Sequence, residues 1–161
     1  MASETFGLDI ARFVEKAKAA PEQVVRKVGL DLATKVVERS PVGNHELWAE
    51  NIARKAKGLP PLPAGYVGGR FRANWNVAFG RVDTLTTPST DKSGAKTRER
   101  IRIQLNGWTP GQEIYLTNSL PYAIPLEYGH SKTQAPNGMV RITVTEFQTF
   151  VSQAAAEVAK Q

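Results

Sequence analysis

The chain has 161 residues, 41% of them hydrophobic, with a formal net charge of +6 and no cysteine. Disulfides and thiolate metal sites are therefore excluded, and no apolar run approaches the ~18 residues that span a bilayer. With a mean hydropathy of -0.33, the composition reads as one soluble globular domain long enough to bury a core.

Met1-Ala2-Ser3-Glu4 is acidic and lacks the charged-then-apolar layout of a signal peptide. Residues 8–20 predict an amphipathic helix with Ile10, Phe13, Val14 and Ala17 inward. A second helix is expected to follow Pro21 and run from about Glu22 to Arg39, with Val25, Val28, Leu32 and Val36 as its stripe and Pro41 as its stop. Gly29 is a flaw in it, costing about 1 kcal/mol against alanine. Asn44 suits an N-cap for a third helix over 45–57, closed by Gly58, with Leu47, Trp48, Ile52 and Ala56 apolar. Residues 59–69 are too rich in proline and glycine for regular structure, so 44–68 reads as an inserted arm.

Four strands are expected next. Residues 74–82 alternate Trp75, Val77 and Phe79 against Asn74, Asn76 and Ala78. Residues 83–96 have almost no large apolar side chain and predict a mobile hairpin loop. Residues 98–105 alternate again, Ile101, Ile103 and Leu105 against Arg98, Arg100 and Arg102. Residues 114–117 make a third strand and 122–126 a short fourth. Pro136-Asn137-Gly138 then opens a long helix with Val140, Val144, Phe147, Val151, Ala154 and Val158 on one face. That face is expected on the sheet, with Phe147 near Trp75. The fold class predicted is α+β: N-terminal helices, an antiparallel sheet of about four strands, and a long C-terminal helix packed on the sheet.

Chemistry-bearing residues are few. His45 and His130 are the only histidines, and neither has a second metal ligand at a telling spacing. Without cysteine, nucleophilic catalysis has almost no material. Glu113 and Glu127 suggest ion pairs more readily than an acid/base pair. Residues 65–69 hold three glycines but no preceding strand and no phosphate-binding lysine. No catalytic residue, cofactor or metal site is expected. Arg70 and Arg72 flank Phe71, and two readings stand side by side: a solvated strand entry, or a salt bridge to Glu127 within or between subunits. Charge is uneven. Residues 1–40 carry seven basic and six acidic residues (+1), 41–106 eleven and five (+6), and 107–161 three and four (-1).

Asn118-Ser119-Leu120-Pro121-Tyr122-Ala123, followed by Glu127-Tyr128-Gly129, resembles the N-x-x-P-Y-A-x-x-x-E-x-G core of bacteriophage neck and tail-completion proteins, which join head to tail in long-tailed phages. Upstream, Ser40-Pro41-Val42-Gly43 and then Gly69-Arg70-Phe71-Arg72-Ala73-Asn74-Trp75 is similar to that family's S-P-V-x-x-G-R-L-R-x-S-W, here split by the insertion. The match covers roughly Ser40 onward, and the N-terminal helices fit more loosely.

The resemblance implies a non-enzymatic virion protein at the head–tail junction, made in the host bacterial cytoplasm. It would form a homo-oligomeric ring between connector or head-closure proteins and tail-terminator or tail-tube proteins, with no membrane partner. Arg70, Arg72, Trp75, Tyr122, Glu127, Tyr128 and His130 are the interface candidates. Lys92, Lys96, Arg98, Arg100 and Arg102 would face genomic DNA in the lumen or a neighbouring subunit. The rival is a sequence-nonspecific DNA-binding protein of phage packaging or replication, although no recognition-helix pattern is present. An enzyme of unknown type is a third reading.

Overall fold

A computed structural model describes residues 21–160, so the expected helix over 8–20 lies outside the described residues. In chain order the elements are α1 (Pro21–Arg39), a 3-10 turn (His45–Leu47), α2 (Ala49–Ala56), α3 (Arg70–Ala73), β1 (Asn76–Phe79), α4 (Ala95–Asn106), β2 (Ile114–Thr117), α5 (Ala123–Glu127), α6 (Val140–Val144) and α7 (Phe147–Val158).

α1 is the shared wall. It carries Glu22 in its first turn and Arg39 in its last, each suiting the helix dipole. Its apolar residues face two ways. Ala33, Val36 and Val37 join Phe71, Trp75, Val77, Ile101, Leu105, Leu120 and Met139 in one cluster. Val24 and Val28 join Phe147, Val151, Ala154, Ala155 and Val158 of α7 in the other, with Leu32 packed against it. Phe147 and Trp75 thus belong to different clusters, and the expected contact of Phe147 with the sheet near Trp75 is replaced by packing on α1.

The α+β expectation with a four-stranded sheet is overturned. Among the described residues the only sheet is β1–β2, antiparallel, with Asn76 opposite Thr117 and Phe79 opposite Ile114. Residues 98–105 belong to a helix. Their two-residue alternation coexists with a four-residue spacing, Thr97–Ile101–Leu105, and all three are buried. Ile101 is 1% exposed and Ile103 59%, whereas a strand would put both on one face. Residues 122–126 also turn into a helix. Pro125 sits in the first turn of α5, where its missing N–H is no loss, while in a strand it would remove a ladder donor.

The single C-terminal helix is interrupted between α6 and α7. The run Val140 to Thr145 is rich in β-branched residues. Thr143 Oγ1 donates back to the Met139 carbonyl and Thr145 Oγ1 to that of Ile142, both at 2.7 Å. Such back-bonding bends helices.

Residues 83–94 therefore lead from β1 into α4 instead of turning a hairpin. Polar side chains anchor them. The Asn74 side chain accepts from Thr87 N at 2.7 Å and donates to Thr87 O at 3.0 Å. Arg70 Nε donates to the same carbonyl, Asn76 to Leu85 O and Thr117 Oγ1 to Asp83 O. No helix among the described residues is long and apolar enough to cross a membrane.

Helical and strand readings of 98–105 predict different mutational costs. Ile101→Ala should cost about 2–5 kcal/mol as a buried truncation, and Ile103→Ala no more than about 0.5 kcal/mol. Urea unfolding of the two variants measures this. Equal losses would return the segment to a strand.

Candidate interaction surface

The stretch from Asn118 to His130 spends its polar residues on its own scaffold. Asn118 Nδ2 donates to Phe71 O at 2.9 Å, which ties the strand exit to α3. Glu127, at the end of α5, accepts the Met139, Val140 and Arg141 backbone N–H groups at 2.9, 3.0 and 2.8 Å. These are donors at the start of α6 that the helix itself leaves unmet. Arg141 Nη2 returns a bond to the Glu127 carbonyl at 2.7 Å, and its guanidinium lies 4.7 Å from the centre of the Tyr128 ring. Burial pushes the Glu127 carboxyl up, but the three N–H groups and then Arg141 outweigh it and hold the group below its ordinary value. Gly129 comes next at φ +84°, with its α-carbon so close to the Pro136 carbonyl that a Cβ would sit 2.6 Å from the oxygen. A side chain there would push the loop off the clamp.

The outer side of this scaffold is apolar. Ile124 and Tyr128 are each 71% exposed, and Tyr122 is partly so. Tyr122 rests on Phe71 with ring centres 5.9 Å apart, and Phe71 meets Trp75 edge-on at 5.8 Å. The Tyr122 phenol is also within electrostatic reach of Arg70 and Tyr66. Burial raises its phenol, Arg70 opposes that and Tyr66 adds to it, leaving a net rise. Tyr66 in turn meets His45 at a tilt and Trp48 edge-on, with ring centres 4.8 and 5.1 Å apart. An aromatic run therefore leads from the core at Trp75 outward to the arm.

The arm is organised from within by a polar residue. Asn51, 2% exposed, donates to the carbonyls of His45 and Leu62 and accepts from Leu62 N, all within 2.8 Å. Asn44 caps only the 3-10 turn, accepting from Glu46 N at 3.1 Å; the helix expected over 45–57 is split, and α2 begins at Ala49 after Trp48 with no side-chain cap. The arm's apolar residues Leu47, Trp48 and Ile52 are exposed, not turned inward.

The interface candidates divide accordingly. Tyr122, Tyr128 and His130 lie on the outside. Trp75 is buried and donates its Nε1 to Ser40 Oγ at 2.7 Å. Arg72 reaches Ser40 O, Glu38 O and Lys92 O at 2.8, 2.9 and 2.6 Å. Arg70 goes to Thr87 O and Glu127 to α6, so the Arg70/Arg72–Glu127 bridge does not form within the chain.

The arginine row of the strand reading is dispersed, because residues two apart on a helix point almost oppositely. Arg98 pairs with Glu38 at 3.1 Å, Arg102 with Glu99, and Arg100 donates to the Trp75 carbonyl at 2.7 Å. Lys92 and Lys96 are exposed. A residue not singled out from the sequence is Asp91, which accepts from Gly94 N, Thr97 N and Thr97 Oγ1 at 3.0, 2.8 and 2.9 Å and so starts α4. Aspartate three residues before Gly94 and six before a threonine was the available signal.

An apolar groove of about 410 Å³ lies between α1, the sheet and α6–α7. Its lining among the described residues includes Val28, Leu32, Ile114, Leu116 and Val144 and has no ionisable side chain. No group of three or more metal-ligating side chains occurs among the described residues. Comparisons with protein-family models, with curated proteins and with solved structures returned no match for this chain.

Two consequences are measurable. The depressed Glu127 carboxyl adds stability that is complete above its unfolded value and is lost as pH falls through its lower folded value. Glu127→Gln should therefore cost about 1–2 kcal/mol at neutral pH, and the deficit should shrink below about pH 4. A deficit independent of pH in urea titrations would contradict the clamp. Asn74→Ala should speed amide exchange at Thr87 by about tenfold or more, equivalent to ~1.4 kcal/mol of lost protection. Unchanged protection there would mean that Asn74 does not hold the loop.

Proposed function

We propose that this chain is a structural component of the head–tail junction of long-tailed bacteriophages, of the neck or tail-completion type. It acts as a homo-oligomeric ring that joins the tail to the head connector. The observation that supports this best is the division of labour within the Asn118–His130 stretch. Asn118 and Glu127 brace the stretch against α3 and α6, and Gly129 packs on the Pro136 carbonyl, while Tyr122, Ile124 and Tyr128 are left outside. A rigid aromatic and apolar surface of this kind suits protein–protein contact. The role is mechanical and adhesive. Its partners are further copies of the chain, the connector or head-closure proteins on one side and tail-terminator or tail-tube proteins on the other. A head-to-tail contact between copies closes into a ring when the rotation per subunit fits a whole number.

A DNA-contacting role draws on the excess of cations in 41–106, yet Arg98, Arg100 and Arg102 are each engaged within the chain. Of the five cations singled out for DNA, Lys92 and Lys96 are then the ones left exposed to meet it, with Lys55, Lys57 and Arg81 exposed elsewhere in 41–106.

Complementation tests the junction role. Particles made without the chain should accumulate as separate heads and tails, and adding the purified chain should join them. Ile124→Ser combined with Tyr128→Ser should abolish joining while unfolding within about 0.5 kcal/mol of the parent, since both side chains are exposed. Normal joining in the chain's absence would end the proposal.

A further inference from the structure

The inserted arm is internally bonded through Asn51 yet turns its apolar side outward. On α2, Asn51 and Arg54 face the arm's own interior, the latter through Nε to the Pro60 carbonyl at 2.8 Å. The opposite side presents Trp48, Ala49, Ile52, Ala53 and Ala56, all at least partly exposed, with Leu47 at 68% and Ile52 at 56%. Glu50 and Lys57, seven residues apart and so on one flank of the helix, have no ion-pair partner among the described residues.

We propose that this face pairs with the same face of a second copy, the two α2 helices running antiparallel about a two-fold axis. Charge selects that arrangement. In an antiparallel pair each flank meets its own symmetry mate, so Glu50 of one copy faces Lys57 of the other, twice over. A parallel pair would set this flank against the helix's other flank, so Glu50 and Lys57 would not meet each other across the seam. The antiparallel pair also opposes the helix dipoles. Ala49, Ala53 and Ala56 let the axes approach closely, and Trp48 and Ile52 fill the space beside them. Together with Leu47 and Leu59 the exposed side chains offer several hundred Å², against about 800 Å² per partner in a standard interface. The contact is therefore a reversible one, made and broken at working concentrations.

Sedimentation of the full chain from the low micromolar range upward tests the pairing. A concentration-dependent monomer–dimer equilibrium is expected. Glu50→Lys and Lys57→Glu should each weaken it about tenfold or more by placing like charges together. The double variant should recover the parent's affinity to within about threefold, because the pair is only reversed. Circular dichroism melting shows that each variant remains folded. A strictly monomeric chain overturns the proposal, and so does a dimer indifferent to these charges. Dissociation by Ile52→Ser without recovery in the double variant also overturns it, by assigning the arm to some other surface or protein. The junction reading, on which the pairing does not rest, is separable: a monomeric chain that still joins heads to tails sinks the pairing alone, and a charge-paired dimer that joins nothing sinks the junction role alone.

Discussion

The structure depends on how one helix ends. α1 stops inside the protein, where its last carbonyls need partners other than water. Ser40 Oγ donates to the Val36 carbonyl at 2.7 Å and accepts the Trp75 indole N–H. The Arg72 guanidinium spans the Glu38 and Ser40 carbonyls and also reaches that of Lys92. One planar fork thereby joins the end of α1, the root of the arm, α3 and the approach to α4. Lysine offers no such fork, since its donors radiate from one point. Ser40 and Trp75, 35 positions apart, are in direct contact, so the two halves of the upstream motif meet in space despite the insertion between them.

The helical part of the fold was legible where periodicity and punctuation agreed. α1 ends before Pro41, and of the predicted stripe Val28 and Val36 are buried while Val25 and Leu32 are only partly so; Val24, Ala33 and Val37 complete the buried face. Alternation alone predicts more sheet than the chain forms. Residues 98–105 satisfy a period of two and a period of four together, and the tie is broken outside the window. Asp91 caps the start of α4, and Thr97 adds a third member at four-residue spacing. Pro125 carried the same kind of warning for the supposed fourth strand. Boundary chemistry outranked pattern in both places.

Two of the three aromatic candidates lie on the surface, but Trp75 is buried in the core, and most of the charged candidates are engaged within the chain. Tyr122 and Tyr128 face outward, whereas Arg72 and Glu127 do structural work at opposite helix ends, one meeting carbonyls and the other N–H groups. A charged residue in a sequence looks the same whether it will meet water, a partner or an unfinished helix. Only the neighbouring backbone decides, and that is fixed by tertiary packing. Apolar residues misled in the reverse direction. Leu47, Trp48 and Ile52 have the spacing of a buried helical face, but the arm's interior is filled by Asn51 and carbonyls, so the stripe is displayed.

The arm leaves and rejoins the body at almost one point. Gly68 packs directly on the Gly43 carbonyl, too closely for a Cβ on Gly68, and Tyr66 lies beside Gly43. Residues 44–67 form a closed excursion, a pouch drawn tight at its neck. Closing a loop costs little more as it lengthens, so such a pouch can grow, shrink or be replaced wholesale while Gly43 and Gly68 stay in register. The body keeps its knot of Ser40, Arg72 and Trp75 whatever the pouch contains. The proposed pairing of the arm and the folding of the body are thereby carried by separable stretches of sequence, free to change at different rates.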